Sequence, residues 1–244
     1  RPLLFYAILE LVIGLFCVLT PLWYEVATRS YVGLYHSVSQ GLTGLTAVQF
    51  SLAFLIVLIP STLMGATLPA ILKSGIRDDA AVAREIGSFY AANLGGAATG
   101  TFAATFLLLP WFGIYGTLLI AASVNVGIFL RCLRLRREAP ATPETTVDSV
   151  VKHPELSFLL ALLIAAYSGF SSLAYENIFS HVFATLIGAS VYSFGTMLFI
   201  FLLGLALGSR ITTRCLQKGM GRPALAWALM GAPLFLAVTL PLYD

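Results

Sequence analysis

The sequence predicts an all-helical integral membrane protein with seven transmembrane helices. Of the 244 residues, 59% are hydrophobic and only 10% are charged, which is too little charge to cover the surface of a soluble domain. The mean hydropathy of the chain is +0.91. The apolar residues form runs of about 20 or more, the length that crosses a bilayer core as a helix. None of these runs alternates as a barrel strand does, so helices are expected.

Seven apolar runs are long enough to span a bilayer. They are residues 3–22, 46–72, 86–109, 113–132, 156–174, 179–208 and 223–242. Pro60 and Pro69 predict a bend in the second run, because a proline removes a backbone donor and crowds the preceding turn. Segment 23–45 is the only sizeable outer loop, and its tyrosines favour a short amphipathic piece along the interface.

The basic residues predict how the chain is oriented. If the seven runs alternate in direction, 13 of the 14 lysines and arginines fall on one side of the membrane. They are Arg1, Lys73, Arg77, Arg84, Arg131, Arg134, Arg136, Arg137, Lys152, Arg210, Arg214, Lys218 and Arg222. The positive-inside rule therefore predicts that the Arg1 end is cytoplasmic and that Asp244 lies outside. The arginines of segment 131–137 suit an anchor at the anionic inner leaflet or, alternatively, a docking place for a soluble partner.

A polar linker and a repeat predict the domain organisation. The proline-containing linker 138–155 separates residues 1–137, with four runs, from residues 156–244, with three. Residues 1–24 and 222–244 both open on Arg-Pro and close near a Pro-Leu-aromatic sequence. The offset spans six runs, so the two copies insert with the same orientation, as in a parallel repeat. By this interpretation the chain is a fragment that holds helices three to six of one six-helix half and one to three of the next.

Six plus six parallel helices are the arrangement of major facilitator transporters, and three stretches carry a closer resemblance. They are STLMGATLPAIL (61–72), SFYAANLGGAATGTFAATFLLLPWFG (88–113) and SGFSSLAYENIFSHVFATLIGASVYSFGTMLFIFLLGLALGS (168–209). These stretches resemble the membrane region of bacterial fused spermidine synthase and facilitator-like transporter proteins. The resemblance implies a multi-pass location in the bacterial inner membrane. It also implies a soluble aminopropyltransferase-like domain outside these residues, and a fixed cation shortly after the Tyr-Glu pair, where this chain has His181.

Glu10 is the first candidate site residue, because it lies about halfway through the first apolar run. An ionised carboxylate at that depth costs a few kcal/mol, so it usually faces a cavity or a partner. It is either a cation or proton site, or a protonated acid hydrogen-bonded to a neighbouring helix. We expect it to face the bundle interior beside Tyr90, Asn93 or Asn125, which complete a candidate substrate-binding set. Alternatively, those three polar residues simply bond across helices.

A second candidate is a gate formed by Tyr175, Glu176 and His181, where the fifth run meets the outer face. Glu176 is there either an interfacial cap exposed to water or a gate residue for a cationic substrate. In the second case His181 is its titratable partner, because histidine changes charge near neutral pH.

The sequence shows no catalytic residues, no metal-ligand set and no cofactor fingerprint, and its basic residues follow topology rather than a nucleic-acid surface. Two function classes remain, both with the lipid bilayer as the first partner. In one, the protein moves or channels a small polar metabolite, with a polyamine or related amine as the candidate. In the other, it is a scaffold or membrane subunit that holds a soluble enzyme domain or a larger membrane complex. An aminopropyltransferase activity would belong to a part outside these residues.

Overall fold

The computed structural model describes residues 2–38, 42–75, 82–138 and 158–220, together with positions 227, 230, 231, 234 and 238. Within these residues the chain is helical and contains no strand. The helices are α1 (Pro2–Val38), α2 (Leu42–Gly75), α3 (Val82–Ala103), α4 (Leu109–Glu138), α5 (Phe158–Ile187) and α6 (Val191–Gln217). A π-helical turn, Ala104–Leu108, joins α3 to α4. The predicted all-helical class is therefore confirmed for the part of the chain that is described.

Four helical stretches among the described residues are long and apolar enough to cross a bilayer. They are Pro2–Tyr35, Gly44–Ser74, Arg84–Leu135 and Val191–Gln217. These stretches make the chain a multi-pass membrane protein. The third has 52 residues. It is interrupted at Gly113, and it contains the predicted third and fourth spans, each with the 20 or so residues that a bilayer core needs.

Two predicted segments lie outside the described residues. The seventh span, 223–242, is described only at the five single positions, and the linker 138–155 only at its first residue. The comparison of residues 1–24 with residues 222–244 falls outside the description for the same reason. Seven spans and a parallel six-plus-six repeat therefore stay predictions.

The helical pattern breaks between α3 and α4, where the sequence predicts a boundary. Pro110 has no amide hydrogen for the carbonyl four residues earlier, and the wider π turn stands directly before it. Gly113 then takes φ 65° and ψ −173°, a conformation that is essentially restricted to glycine. The sequence Pro110-Trp-Phe-Gly113 thus ends one helical direction and starts another.

The predicted end of the first span at residue 22 is wrong for the helix itself. α1 continues through Pro21 to Val38 without a break, so 23–38 is not a separate interfacial piece. The prediction ended the helix where the bilayer ends. A helix satisfies its backbone hydrogen bonds equally well in water, and one proline removes only one of those bonds.

The predicted boundary between the fifth and sixth spans is also misplaced. α5 continues to Ile187, Gly188 takes a positive φ of 93°, and α6 begins after Ser190. The Ser190 hydroxyl accepts a hydrogen bond from the Ser193 amide at 3.2 Å, which caps α6. The prediction placed the boundary at the polar Tyr-Glu-Asn sequence, but these residues keep helical hydrogen bonds inside α5.

The described helices belong to two compact units. The first comprises residues 1–75 and 107–146, and the second comprises residues 76–106 and 147–244. In the first unit α1 packs on α2 and α4, and in the second unit α6 packs on α3 and α5. α3 therefore packs with helices that come after the linker, although it precedes the linker in sequence.

In the second unit α3 and α6 run antiparallel in close contact. The Ser209 hydroxyl donates to the Gly87 carbonyl oxygen at 3.2 Å near one end of the contact. Near the other end Gly195 lies directly against the Thr105 side chain. Between them the rings of Phe102 and Phe199 have centroids 5.3 Å apart. The glycines allow this close approach of two helices, as small residues generally do in membranes.

In the first unit α1 and α4 also run antiparallel. The Cys17 Sγ atom lies 3.6 Å from the Leu118 carbonyl oxygen. A Cβ atom added to Gly14 would stand 3.0 Å from Asn125 Cβ and 3.4 Å from the Ala122 carbonyl oxygen. Residue numbers thus rise along α1 as they fall along α4, which brings the start of α1 beside the end of α4.

Antiparallel packing collects basic residues at one end within each unit. In the first unit Arg131 and Arg134 lie near the end of α4, beside the start of α1. In the second unit Arg84 lies at the start of α3, beside Arg210 and Arg214 near the end of α6. Within each unit these arginines therefore share one end, whereas Arg29 lies towards the other end of the first unit.

Candidate functional site

Glu10 lies on the face of α1 that packs against α4. Positions 10, 14 and 17 are separated by four and three residues, so they share one helix face, and Gly14 and Cys17 contact α4 directly. We call this contact the α1–α4 seam. Its members are Tyr6, Glu10, Gly14 and Cys17 on α1 and Leu118, Ala122, Asn125 and Cys132 on α4.

The immediate neighbours of the Glu10 carboxylate are Tyr6 and Cys132. The Tyr6 hydroxyl, one turn earlier on α1, is close enough to interact with the carboxylate. Cys132 on α4 is close enough to interact electrostatically with it. Cys132 is buried, whereas Tyr6 and Glu10 are partly buried. The carboxylate is therefore held between two helices and beside two groups that carry an exchangeable proton.

Glu10 lies in the half of α1 that is nearer the basic end of the unit. It is the ninth of the 37 residues of α1, because this helix extends far beyond the predicted span. Gly14 is opposite Ala122 and Asn125, so Glu10 is opposite α4 about one turn before Arg131. A side chain on a helix leans towards the helix start, which here directs the carboxylate towards the polar membrane surface at the basic end.

No lysine or arginine is paired with Glu10 among the described residues, where the one ion pair joins Glu25 and Arg29. A carboxylate in a membrane helix is stable when it is protonated, paired or wet. As far as the described residues show, Glu10 is therefore left to keep a proton, to contact water, or to bind a cation other than the described lysines and arginines. The described part of the chain also contains no group of three or more His, Cys, Asp or Glu residues placed to hold a metal ion.

The three polar residues predicted beside Glu10 are distributed over both units. Asn125 belongs to the α1–α4 seam, where it packs on Gly14, one turn along α1 from Glu10. Tyr90 and Asn93 are exposed residues of α3 in the second unit. Their predicted contact with Glu10 therefore stays a prediction, and the structure brings together only Glu10 and Asn125 of that set within one unit.

Thirteen described serine and threonine hydroxyls are used within their own helices. Each donates to a carbonyl oxygen three or four residues earlier, which removes its need for water in a bilayer. They are Thr20, Thr28, Thr62, Thr67, Ser74, Ser88, Thr99, Thr101, Thr117, Ser123, Thr185, Thr196 and Thr213. These hydroxyls therefore do not indicate a polar path through the membrane. The side-chain carboxylates and amides are the groups that can indicate one.

The predicted gate residues lie inside α5 rather than at its end. Tyr175 and Glu176 are partly buried and His181 is exposed. Glu176 and His181 are five positions apart in an uninterrupted helix, which places them about 140° apart around the axis. The two side chains therefore leave α5 on different sides, a geometry that disfavours a direct pair between them. Their role as a gate stays a prediction.

Sequence reasoning did not include Tyr6, Gly14, Cys17 and Cys132 in the site. A signal for them exists in the spacing of Ala7, Gly14 and Pro21, three residues seven positions apart on the same side of α1. Small residues such as Ala7 and Gly14 at helical spacing indicate where another helix approaches, and Ala7 is fully buried. Glu10 lies between two of them.

Comparison with known proteins does not assign this chain to a family. No family model, no curated protein and no solved structure matches this chain. The resemblance to fused spermidine synthase membrane regions therefore rests on the three stretches quoted above.

Proposed function

We propose that the protein moves small organic amines across the bacterial inner membrane and that Glu10 is a cation-binding group on their route. The observation that carries the proposal is a carboxylate held between two membrane helices without a lysine or arginine partner among the described residues. Tyr6 and Asn125 supply oxygen and amide groups within about one turn of it. An ammonium group is the ligand that would satisfy this carboxylate without requiring its protonation.

Replacing Glu10 with glutamine tests this proposal. We expect Glu10→Gln to lower the uptake of radiolabelled spermidine and methylammonium into proteoliposomes about tenfold or more, because a charged hydrogen-bond partner is lost. Purification yield and helical circular dichroism should be unchanged, since glutamine has nearly the same size. Glu85→Gln, which removes a carboxylate from α3 in the other unit, is the matched control and should transport normally. Normal uptake by Glu10→Gln would overturn the proposal.

The proposed orientation places the basic end of each unit in the cytoplasm, with the Arg1 end inside and Asp244 outside. It is supported by the clustering of Arg131 and Arg134 at one end of the first unit and of Arg84 and Arg210 at one end of the second.

Single cysteines test this orientation in a protein whose native cysteines are replaced by alanine. Cysteines at positions 78 and 145 should react with a membrane-impermeant maleimide only in inside-out vesicles, and a cysteine at position 30 only in intact cells. Permeabilised cells, in which all three must react, provide the control. Labelling of position 145 in intact cells would contradict the alternating topology.

A membrane scaffold that anchors a soluble aminopropyltransferase-like domain, or a larger complex, is the second candidate function. It is favoured by the hydroxyls that are satisfied within their own helices. A facilitator-like bundle of two six-helix halves is compatible with both functions. Loss of amine uptake in Glu10→Gln alone would exclude the scaffold function.

A further inference from the structure

The first unit has a second polar feature at the end opposite its basic residues. An open groove of about 430 Å³ lies where α1 passes the first turns of α4. We call it the tyrosine groove, and it is lined by Pro21, Leu22, Tyr24, Glu25, Thr28 and Tyr115. Positions 21, 24, 25 and 28 continue on α1 the helix face that carries Glu10, Gly14 and Cys17. The groove is therefore the far end of the α1–α4 seam.

The position of the groove along α4 corresponds to the opposite membrane surface. Tyr115 and Arg134 are 19 positions apart on this helix. At 1.5 Å per residue they are separated by about 28 Å, close to the thickness of a bilayer core. With the arginine at one headgroup layer, the tyrosine reaches the other, where aromatic residues are enriched. The groove thus opens at a membrane–water boundary, accessible to solutes and to lipid headgroups.

The side chains of the groove favour a cation. Tyr24 and Tyr115 are 73% and 71% exposed, so their ring faces are available to a ligand. Glu25 adds a carboxylate, whereas the Thr28 hydroxyl already donates to the Tyr24 carbonyl oxygen. Aromatic faces and a carboxylate together attract ammonium groups, as in the cages that bind quaternary ammonium ligands. Anchoring to a membrane surface would require only the tyrosines, and neither the carboxylate nor the concave shape.

Arg29 provides an internal competitor for this carboxylate. Its guanidinium donates to Glu25 Oε1 across one helical turn, but Arg29 is not among the residues that line the groove. The pair is solvent-exposed, and such pairs contribute little to stability. A ligand cation can therefore displace Arg29 from Glu25 at small cost.

We propose that the tyrosine groove binds a small organic ammonium group through Tyr24, Tyr115 and Glu25. The ammonium group belongs either to a free amine or to the headgroup of a choline or ethanolamine lipid. The proposed binding depends only on the side chains of the tyrosine groove. Its further role, as the outer subsite of a route that leads along the seam to Glu10, rests on the proposed function.

Binding of tetramethylammonium to the detergent-solubilised protein, followed by saturation-transfer NMR, tests the groove. We expect Tyr24→Ala and Tyr115→Ala each to weaken binding about threefold to tenfold, as expected for the loss of one cation–π contact. Tyr167→Ala is the matched control, because Tyr167 is 72% exposed on α5 and belongs to the other unit. The neutral isostere tert-butanol should not bind.

Substitutions of Glu25 and of Arg29 should change the affinity for tetramethylammonium in opposite directions. Glu25→Gln should weaken tetramethylammonium binding, whereas Arg29→Gln should strengthen it, because the carboxylate is then free of its competitor. A change in the same direction for both variants, or equal binding of tert-butanol, would overturn the proposal. Binding should persist in Glu10→Gln, so a failure of amine transport and a failure of the groove are distinguishable.

Binding measurements in nanodiscs of two lipid compositions distinguish a lipid headgroup from a free amine as the source of the ammonium group. If phosphatidylcholine nanodiscs weaken tetramethylammonium binding relative to phosphatidylglycerol nanodiscs, the groove accepts lipid headgroups. If the two lipids give equal affinity, free amines are the ligand. Undetectable binding in detergent and in both kinds of nanodisc would overturn the proposal.

Discussion

Gly195→Ala is expected to destabilise the second unit by about 1–3 kcal/mol through overpacking. The added methyl group would stand 2.3 Å from Thr105 Oγ1, 2.5 Å from its Cγ2 and 2.8 Å from its Cβ. Since both branches and the Cβ atom are too close, rotation of the threonine side chain cannot relieve the contact. Thr105 is only 5% exposed, which leaves it no outward path. Thermal unfolding in detergent, followed by circular dichroism, measures the loss.

Gly204→Ala is the matched control for this prediction. Gly204 lies on the same helix, and an added methyl group there meets nothing within 4 Å. Alanine is the better helix former, so this variant should be neutral or slightly stabilised. Thr105→Ala combined with Gly195→Ala should recover part of the lost stability, because two of the three close contacts disappear. Equal effects of the two glycine substitutions would show that α3 and α6 do not approach as closely as described.

The membrane class and the boundary between α3 and α4 were predictable because they depend on local properties of the sequence. The length of an apolar run shows whether a helix can cross the bilayer core. Proline and glycine interrupt a helix through their own backbone properties, as Pro110 and Gly113 do here. The end of α1 was not predictable from run length, since a helix continues beyond the bilayer at no cost in backbone hydrogen bonds. Gly188 and Ser190 are typical helix-ending and helix-capping residues and indicate the junction of α5 and α6. The prediction nevertheless placed the boundary at Tyr175-Glu176, because that sequence is more polar.

The candidate site was predictable only in part because packing partners are not local. Glu10 was identified from the cost of a carboxylate in a membrane helix, which a sequence shows directly. Its neighbour Cys132 is distant in sequence, and the two meet only because α1 and α4 pack in one antiparallel register. Tyr90 and Asn93 share the polarity of Asn125 but belong to the second unit, and their polarity alone does not show which helices pack together.

Gly14→Val is expected to open the α1–α4 seam and to destabilise the first unit by about 1–3 kcal/mol. A Cβ atom at this position already stands 3.0 Å from Asn125 Cβ and 3.4 Å from the Ala122 carbonyl oxygen, and valine adds two methyl groups beyond it. The Ala122 carbonyl belongs to the helix backbone, so α4 must move as a whole. Amine uptake should fall together with stability, because Glu10 and Asn125 lose their fixed spacing.

Alkylation of Cys132 by N-ethylmaleimide measures this opening. Cys132 is only 7% exposed, so its reaction rate in a protein lacking Cys17 and Cys215 should rise when the seam widens. Gly33→Val is the matched control, because Gly33 lies on the same helix and an added Cβ there has nothing within 4 Å. Both valines disturb the helix similarly, so the difference between them isolates the contact with α4. Equal alkylation rates in the two variants would contradict the close packing of α1 on α4 at Gly14.

The interleaving of the two units has a consequence for the order of synthesis. α1 and α2 leave the ribosome first and α4 follows α3, so the first unit can be completed early. α3 is made before α4, but its partner α6 begins about 90 residues after α3 ends. At about 5–20 residues per second, α3 spends roughly 5–20 seconds without α6. During that interval its glycines and alanines face lipid or the insertion machinery, so the second unit is the one whose assembly depends on the pace of translation.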